Sequence, residues 1–270
     1  MYKNAKSNHR TLILEENQSS RRNFLKTTSL ASVGILGIPR IVSAAFAKET
    51  TKTKKVVIDK DDVILFQGDS ITDSGRKRDD ASFNVAEALG SGYAMIATSE
   101  LLLKYAGKNL KVFNRGISGN KVYDLAERWD KDCLDIKPNV LSILIGVNDF
   151  GNFIIGKYNG TIETYRNDYT KLLDRTKQKL PDVKLIIGEP YAVTGIKAVD
   201  EKWFPGFNEY RAAAKEIAEL FDAVFIPYHA IYDNAQKEAP GVYWTHDGVH
   251  PTLAGASLMA HAWIEAVKAK

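Results

Sequence analysis

Cysteine is almost absent from this sequence, because Cys133 is the only one among 270 residues. A single cysteine excludes an intrachain disulfide, so a folded core has to hold the chain together. Long apolar runs are missing as well, and no stretch reaches the roughly 20 apolar residues that a membrane-spanning helix needs. The sequence therefore predicts no stable membrane span and no disulfide framework.

Net charge is also scarce once the N-terminus is set aside. The whole chain carries 37 Lys and Arg against 33 Asp and Glu, a formal charge of +4. Residues 1–47 hold seven of the basic and two of the acidic residues, which leaves 30 against 31 for residues 48–270. The excess of positive charge therefore belongs to the N-terminus and does not indicate a nucleic-acid partner, and we expect none.

The basic N-terminus looks like an export signal. Residues 20–26 read SRRNFLK, which resembles the twin-arginine signal pattern, and a short apolar stretch follows at 30–38. Residues 45–47, AFA, supply small side chains at the alternate positions that a signal peptidase reads. These features predict export to the periplasm or the medium, with a basic tail on a cytosolic protein as the alternative.

These observations divide the chain into three parts. We expect residues 1–47 to be a twin-arginine-type signal peptide, since the motif, the apolar stretch and the cleavage site lie there. Residues 48–60 are polar and rich in Lys and Thr, which is typical of a linker. Residues 61–270 are then the folded domain.

Short apolar runs alternate with helical patterns through the predicted domain. The runs lie at residues 63–66, 111–114, 140–145, 184–187 and 223–226. Apolar residues recur at helical spacing within 93–105, 122–129, 165–180, 210–221 and 253–268. Near-continuous apolar strands separated by helices predict a three-layer α/β/α sandwich around a five-stranded parallel sheet. Functional residues in such sheets lie just beyond the carboxyl ends of the strands.

Four polar blocks occupy those positions or precede the last predicted helix. They are GDSIT at 68–72, NRGISGN at 114–120, GVND at 146–149 and DGVH at 247–250. Ser70 in the first block is placed either to act as a nucleophile or to cap the following helix. Asn148 can present an amide donor, while Asp149 fits a role in fixing its loop.

Together the blocks resemble the SGNH subgroup of GDSL hydrolases, from about Asp62 to Lys268, and so imply its flavodoxin-like fold. The resemblance implies that Ser70 is the nucleophile, His250 its base and Asp247 the carboxylate that orients the base. It further implies an oxyanion hole formed by the N–H of Ser70, the N–H of Gly119 and the amide of Asn148. The chemistry agrees, because a serine hydroxyl needs an adjacent base and the oxyanion needs fixed donors.

This mechanism requires no metal and no cofactor, and we expect none. The alternative is a metal site, because His246, Asp247 and His250 provide ligand-type side chains at short spacing. Gly248 and Pro251 favour a loop here over the helix that a His-x-x-x-His metal pair uses, and no further Cys or His accompanies them.

Within the subgroup, the chain is similar to bacterial acetylxylan esterases and related carbohydrate acetylesterases. The similarity lies at residues 90–93, 114–129, 133–138 and 143–149. It implies hydrolysis of small acetyl esters on xylan or xylo-oligosaccharides. A lysophospholipase or thioesterase of the same fold is one alternative, and a non-catalytic carbohydrate-binding protein is another.

The substrate contacts are less well defined by the sequence. Asp69, Trp203 and Trp244 are candidate substrate-binding residues, although the two tryptophans fit the core equally well. The relatives suggest a homo-oligomer, and the expected partner is a small or oligosaccharide ester.

Overall fold

The structure is a computed structural model, and it describes residues 37–48 and 54–270. The chain divides after Arg40 into two units, and the second, residues 41–270, contains all the strands found among the described residues. The strands are β1 Val56–Ile58, β2 Val63–Gly68, β3 Lys111–Asn114, β4 Val140–Leu144, β5 Lys184–Gly188, β6 Val224–Ile226 and β7 Val267–Ala269. All five apolar runs that the sequence places in strands form strands.

Five of the strands form one parallel sheet in the order β3-β2-β4-β5-β6. The central strand β4 is buried at every residue, and all of its residues except Ser142 are apolar, which is typical of a parallel strand covered on both faces. The predicted fold class, an α/β sandwich with a five-stranded parallel sheet, is confirmed.

Helices connect the strands. They are α1 Gly37–Lys48, α2 Ser70–Asp73, α3 Ala86–Leu89, α4 Tyr93–Lys104, α5 Val122–Glu127, α6 Val147–Ile154, α7 Ile162–Lys179, α8 Phe207–Leu220, α9 Tyr228–Ala235, α10 Gly241–Trp244 and α11 Leu253–Glu265. Helix α4 packs against α11, while α7 packs against α5 and α8. No helix among the described residues is both long enough and apolar enough to cross a bilayer.

Large aromatic side chains join the helices to the sheet. Trp263 of α11 is fully buried, lies 4.9 Å from the ring of Phe66, and donates its indole N–H to Ser142 Oγ on β4 at 3.0 Å. The hydrogen bond satisfies two polar groups that would otherwise be buried without partners. Truncating a tryptophan in such a position typically costs about 3–5 kcal/mol of stability.

The last predicted helix is too long at its C-terminal end. We predicted helix to residue 268, but α11 ends at Glu265 and residues 267–269 form β7. Strand β7 pairs in parallel with β1, starting at Val56 opposite Val267. Strand β1 itself lies within the predicted linker, so part of that segment belongs to the fold. Each of these two strands forms because it pairs with the other, at the opposite end of the domain. The local sequence of either strand does not contain that information.

The predicted signal peptide lies only partly within the described residues. The twin-arginine motif at 20–26 lies outside them, whereas the predicted cleavage site at 45–47 is within α1. Ile41, Val42 and Ala45 of this helix are buried in the apolar core of the second unit. The extent of the signal peptide and its removal stay predictions.

Candidate active site

The candidate site lies at the carboxyl ends of three neighbouring strands. Ser70 follows β2 at the centre, Gly119 lies in the loop after β3, and Asn148 is in the loop-to-helix segment after β4. Because the sheet order is β3-β2-β4, these loops flank the nucleophile position on both sides. This is the edge at which open α/β sheets bind ligands.

The turn between β2 and α2 presents Ser70. Gly68 has φ +153°, and a Cβ there would collide with the carbonyl oxygen of Leu144 on the adjacent strand, so only glycine fits. Asp69 is the N-cap of α2, since its Oδ1 accepts a hydrogen bond from the N–H of Ile71 at 3.0 Å. Ser70 therefore does not cap the helix. As the first residue of α2, it has an N–H without an intrahelical acceptor.

Ser70, His250 and Asp247 form one hydrogen-bonded line. The Oγ of Ser70 lies 2.8 Å from Nε2 of His250, and Nδ1 of His250 lies 2.7 Å from Oδ2 of Asp247. Both nitrogens of the imidazole are thus engaged, one with the hydroxyl and one with the carboxylate. This is the arrangement of an activated serine nucleophile with an oriented base.

Asp247 is held by its own loop. Its Oδ1 accepts hydrogen bonds from the backbone N–H groups of Val249 at 3.0 Å and His250 at 2.8 Å. Partial burial by itself raises the pKa of Asp247, but these hydrogen bonds and the contact with the His250 ring outweigh it and lower the pKa below its ordinary value. The carboxylate is therefore charged at neutral pH and can stabilise an imidazolium.

The His250 geometry bears on the alternative metal site. A metal ligand must direct a free nitrogen lone pair at the ion, and the contacts of His250 leave it none. His246 is exposed, and its ring makes no hydrogen bond with any described residue. Among the described residues no group of three or more His, Cys, Asp or Glu is arranged to hold a metal.

The two further oxyanion candidates occupy the flanking loops. Gly119 has φ +85°, and a Cβ added there would meet no atom within 4 Å, so its backbone borders open space. Asn148 donates one amide hydrogen to the carbonyl oxygen of Asn120 at 3.1 Å, which leaves its second amide hydrogen for a ligand. The loop residue Asn120 thus connects the two candidates.

A carboxylate that sequence reasoning missed fixes the Gly119 loop. Asp73, the last residue of α2, is buried, and its Oδ2 accepts hydrogen bonds from the N–H of Ser118 at 2.9 Å and the hydroxyl of Ser118 at 2.7 Å. Arg78 also pairs with this oxygen. Burial raises the pKa of Asp73, but the bonds from Ser118 and Arg78 outweigh it and lower the pKa overall. Asp73 follows GDSIT directly, and this position was the available sequence signal.

Further side chains tie the same loop to its surroundings. Arg76 donates its Nε–H to the carbonyl oxygen of Gly116 at 2.8 Å, and Arg128 donates to Oδ1 of Asn120 at 2.9 Å. Asn114 accepts from the N–H of Gly116 at 2.9 Å while donating to the carbonyl oxygen of Thr72 at 2.6 Å. The segment that carries Gly119 is therefore anchored on both sides.

Two carboxyl groups beneath the site are buried. Burial raises the pKa of Asp69 to about 7 and that of Asp149 to about 7. Asp149 accepts a hydrogen bond from the N–H of Val122 at 3.1 Å, so it links the loop after β4 to the start of α5. This contact agrees with the loop-fixing role that the sequence suggested for Asp149.

The three candidate substrate-binding residues are all buried. Asp69 caps α2, Trp203 packs edge-on against Phe150 at 5.5 Å, and Trp244 donates its indole N–H to the carbonyl oxygen of Ala235 at 3.0 Å. Their exposed fractions are 1%, 7% and 5%, which leaves almost no surface for a sugar. In the structure Asp69 caps a helix, and the two tryptophans pack in the core, where large aromatic side chains bury much apolar surface.

The fold and the Ser70–His250–Asp247 geometry define a class, that of α/β hydrolytic enzymes with a serine nucleophile. A family model described as the GDSL-like lipase/acylhydrolase family matches residues 66–258, more than half of the chain. The chain belongs to this family.

Known proteins resemble the chain over most of its length. An acetylxylan esterase from Geobacillus stearothermophilus is 31% identical over 206 residues, which is 76% of this chain and 93% of that protein. A crystal structure of a protein from Parabacteroides merdae assigned to the GDSL-like lipases is 49% identical, with a TM-score of 0.77, and the match covers 78% of this chain and 98% of that one.

A crystal structure of Axe2, an acetylxylan esterase from Geobacillus stearothermophilus, also resembles the chain. It is 30% identical with a TM-score of 0.69, over 77% of this chain and 95% of its own. Catalytic mutants of Axe2 have been solved with a serine, an aspartate and a histidine each replaced by alanine, the aspartate three residues before the histidine. Family and relative together support an esterase.

Proposed function

We propose that this protein is an exported serine esterase that removes acetyl groups from carbohydrate esters such as acetylated xylo-oligosaccharides. The observation that carries the proposal is the continuous hydrogen-bonded line from Ser70 through His250 to Asp247. The name of the 31%-identical relative, an acetylxylan esterase, supports the choice of substrate class. The SRRNFLK motif supports export.

In the proposed reaction, His250 takes the proton of Ser70 as the hydroxyl oxygen attacks the ester carbonyl. The developing oxyanion accepts hydrogen bonds from the N–H groups of Ser70 and Gly119 and from the Asn148 amide. His250 then donates its proton to the departing alcohol oxygen, and an acetyl-enzyme remains. Water, deprotonated by the same ring, attacks this intermediate. The bond between Ser70 Oγ and the acyl carbon then breaks, Oγ regains a proton from His250, and the acetyl group leaves as acetic acid, which ionises to acetate.

The experiment that tests the substrate class measures kcat/KM for aryl acetate, butyrate and octanoate, together with acetate release from acetylated xylose sugars. We expect the constants to fall from acetate to octanoate, because a small acyl site excludes longer chains. A lipase-type site should show the reverse, since each buried methylene gains about 0.8 kcal/mol. Ser70→Ala is the control for catalysis at this site.

Constants that climb steadily to octanoate, with no acetate released from the sugars, would favour the lysophospholipase or thioesterase alternative. Absence of ester hydrolysis of every kind by the wild type would favour the carbohydrate-binding alternative.

A further inference from the structure

A cleft of about 340 Å³ opens beside the candidate nucleophile. Its volume lies within the usual range for small-molecule sites. Ser70 and His250 both line it. The rest of its lining includes Ser74, Ser91, His246, Pro251 and Leu253.

The position of this cleft indicates which half of an ester substrate, the acyl group or the alcohol, it can hold. Gly119 and Asn148, which we place around the carbonyl oxygen, do not line the cleft. The cleft therefore opens on the base side of Ser70 and not on the oxyanion side. His250 can protonate only an oxygen within hydrogen-bond reach of its Nε2, so the departing alcohol has to lie on that same side.

We propose that this cleft is the leaving-group site and that it takes a neutral polyhydroxylated alcohol, with Ser91 and His246 as the residues that recognise its hydroxyl groups. The inference rests on the proposed esterase function of Ser70. It adds the place where the alcohol binds and two specificity-determining residues.

The polar groups of the cleft are available to a ligand. Ser91 is exposed, and its hydroxyl donates to the carbonyl oxygen of Ser74 at 3.0 Å, so its lone pairs are free to accept a hydrogen bond. The backbone N–H of His246 donates to the carbonyl oxygen of His250 at 2.8 Å, which fixes the residue at the edge of the site. Its ring has no hydrogen-bond partner among the described residues, and a neutral imidazole both donates and accepts.

The apolar groups fit the other face of a sugar. Leu253, the first residue of α11, is 75% exposed, and Pro251 lies beside it in the lining. An exposed leucine at the edge of a cleft provides the apolar surface that the C–H face of a pyranose covers. A site of this kind combines apolar contact with a few placed polar groups.

The charge of the cleft distinguishes two kinds of alcohol. A lysophospholipid leaving group carries a phosphate, whose binding sites in proteins use Arg or Lys. Among the described residues, no lysine or arginine lines the cleft. The lining therefore favours an uncharged polyol over a phosphate-bearing alcohol.

The test compares leaving groups at constant acyl group. Values of kcat/KM are measured for two groups of acetate esters. In a monoacetylated methyl xyloside and glyceryl monoacetate, the alcohol carries free hydroxyls beside the esterified one. In 4-nitrophenyl acetate and ethyl acetate, the alcohol carries no hydroxyl other than the esterified one. We expect Ser91→Ala and His246→Ala each to lower the first two constants roughly 3- to 10-fold, the value of one hydrogen bond. The last two constants should change less than twofold.

Two variants serve as controls. Ser99→Ala changes an exposed serine of α4 that does not line the cleft, and it should leave all four constants unchanged. His246→Gln keeps a donor and an acceptor, so it should restore part of the selectivity that His246→Ala loses. Neither Ser91 nor His246 belongs to the proposed catalytic line, so the variants should keep their ethyl acetate activity.

Equal losses on all four substrates would overturn the inference, because the residues would then act on catalysis or folding and not on the alcohol. The inference would also be overturned if Ser91→Ala or His246→Ala changed the ratio of aryl acetate to aryl butyrate hydrolysis from that of the wild type, since the cleft would then hold the acyl group. A wild type that hydrolyses glyceryl monoacetate but no sugar ester would refute the proposed substrate. The inference would still stand if Ser91→Ala and His246→Ala affected that polyol selectively.

Discussion

Ser70 and His250 are expected to act as one chemical unit, because their side chains lie 2.8 Å apart and share the proton that moves. Ser70→Ala and His250→Ala should each lower kcat on the order of 10⁴-fold or more, and the double variant should be no worse. Asp247→Asn should cost less, since it disturbs the orientation of the ring and its charge stabilisation. Single-turnover rates with an aryl acetate measure this.

Folding of these variants is checked by their thermal unfolding midpoints. Near-wild-type turnover of Ser70→Ala would disprove the assignment of the nucleophile. Additive losses in the double variant would show that the two side chains act separately.

Asp69 makes a prediction about stability and pH. Its pKa is raised by burial to about 7 in the folded protein, whereas an unfolded chain has a value of about 4. Between these values the folded state binds a proton that the unfolded state has lost. This group's contribution to the free energy of unfolding therefore falls as pH rises towards 7, and it is constant above 7.

Asp69→Asn tests this because asparagine keeps the capping oxygen and cannot ionise. The difference in the free energy of unfolding, variant minus wild type, should increase by roughly 1 kcal/mol per pH unit between pH 5 and 7. Urea unfolding at several pH values measures the difference. A difference that does not change with pH would mean that Asp69 is ionised throughout this range.

At the scale of elements, the junction of α2 with the loop after β3 sets the position of the Gly119 N–H. Asp73 accepts both the N–H and the hydroxyl of Ser118, the residue immediately before Gly119. An oxyanion donor works only if it is held near its final geometry. The contacts of Asp73 are therefore expected to appear in kcat more than in KM.

Ser118→Ala removes the hydrogen bond from the Ser118 hydroxyl to Asp73. Asp73→Asn removes the charge of the acceptor and so weakens both hydrogen bonds from Ser118. We expect each to lower kcat by roughly 10-fold with little change in KM, a smaller effect than the roughly 10²–10³-fold expected for Asn148→Ala. Steady-state kinetics with an aryl acetate separates the two constants. An unchanged kcat in both variants would assign Asp73 a purely structural role.

The ends of the domain show how elements depend on distant partners. The helical spacing from 253 onwards continues to residue 268, but the chain leaves the helix at Ala266 and pairs with β1. Val56 N–H donates to the carbonyl oxygen of Ala266 at 2.9 Å, which joins the two segments. Short segments of this kind take their structure from the partner more than from their own propensity.

At the scale of the whole molecule, the proposed twin-arginine signal peptide makes a prediction about the location of the protein. Export through a twin-arginine signal requires both arginines, so Arg21→Lys combined with Arg22→Lys should leave the precursor unprocessed inside the cell. The wild type should be shortened near Ala47. Fractionation and mass spectrometry of the N-terminus measure both outcomes. A wild-type protein that keeps its first residues in the native cell would contradict the predicted signal peptide.

The sequence by itself determined the order of the strands along the chain and the chemistry at their ends. Buried parallel strands read as continuous apolar runs, so β2 to β6 could be located from local composition. The four polar blocks could be found because each is a short, contiguous motif. The roles predicted for Ser70, Gly119, Asn148, Asp247 and His250 came from the resemblance of these blocks to the SGNH hydrolases.

Only the tertiary structure decided which side chains meet and which are buried. The role of Asp73 depends on a contact with Ser118, 45 positions later, and no local pattern records such a contact. Trp203 and Trp244 read equally well as sugar platforms or core residues, because burial depends on neighbours from other segments. The cleft beside Ser70 likewise combines residues from the start and the end of the domain. Long-range packing sets these features, whereas local composition sets strands and motifs.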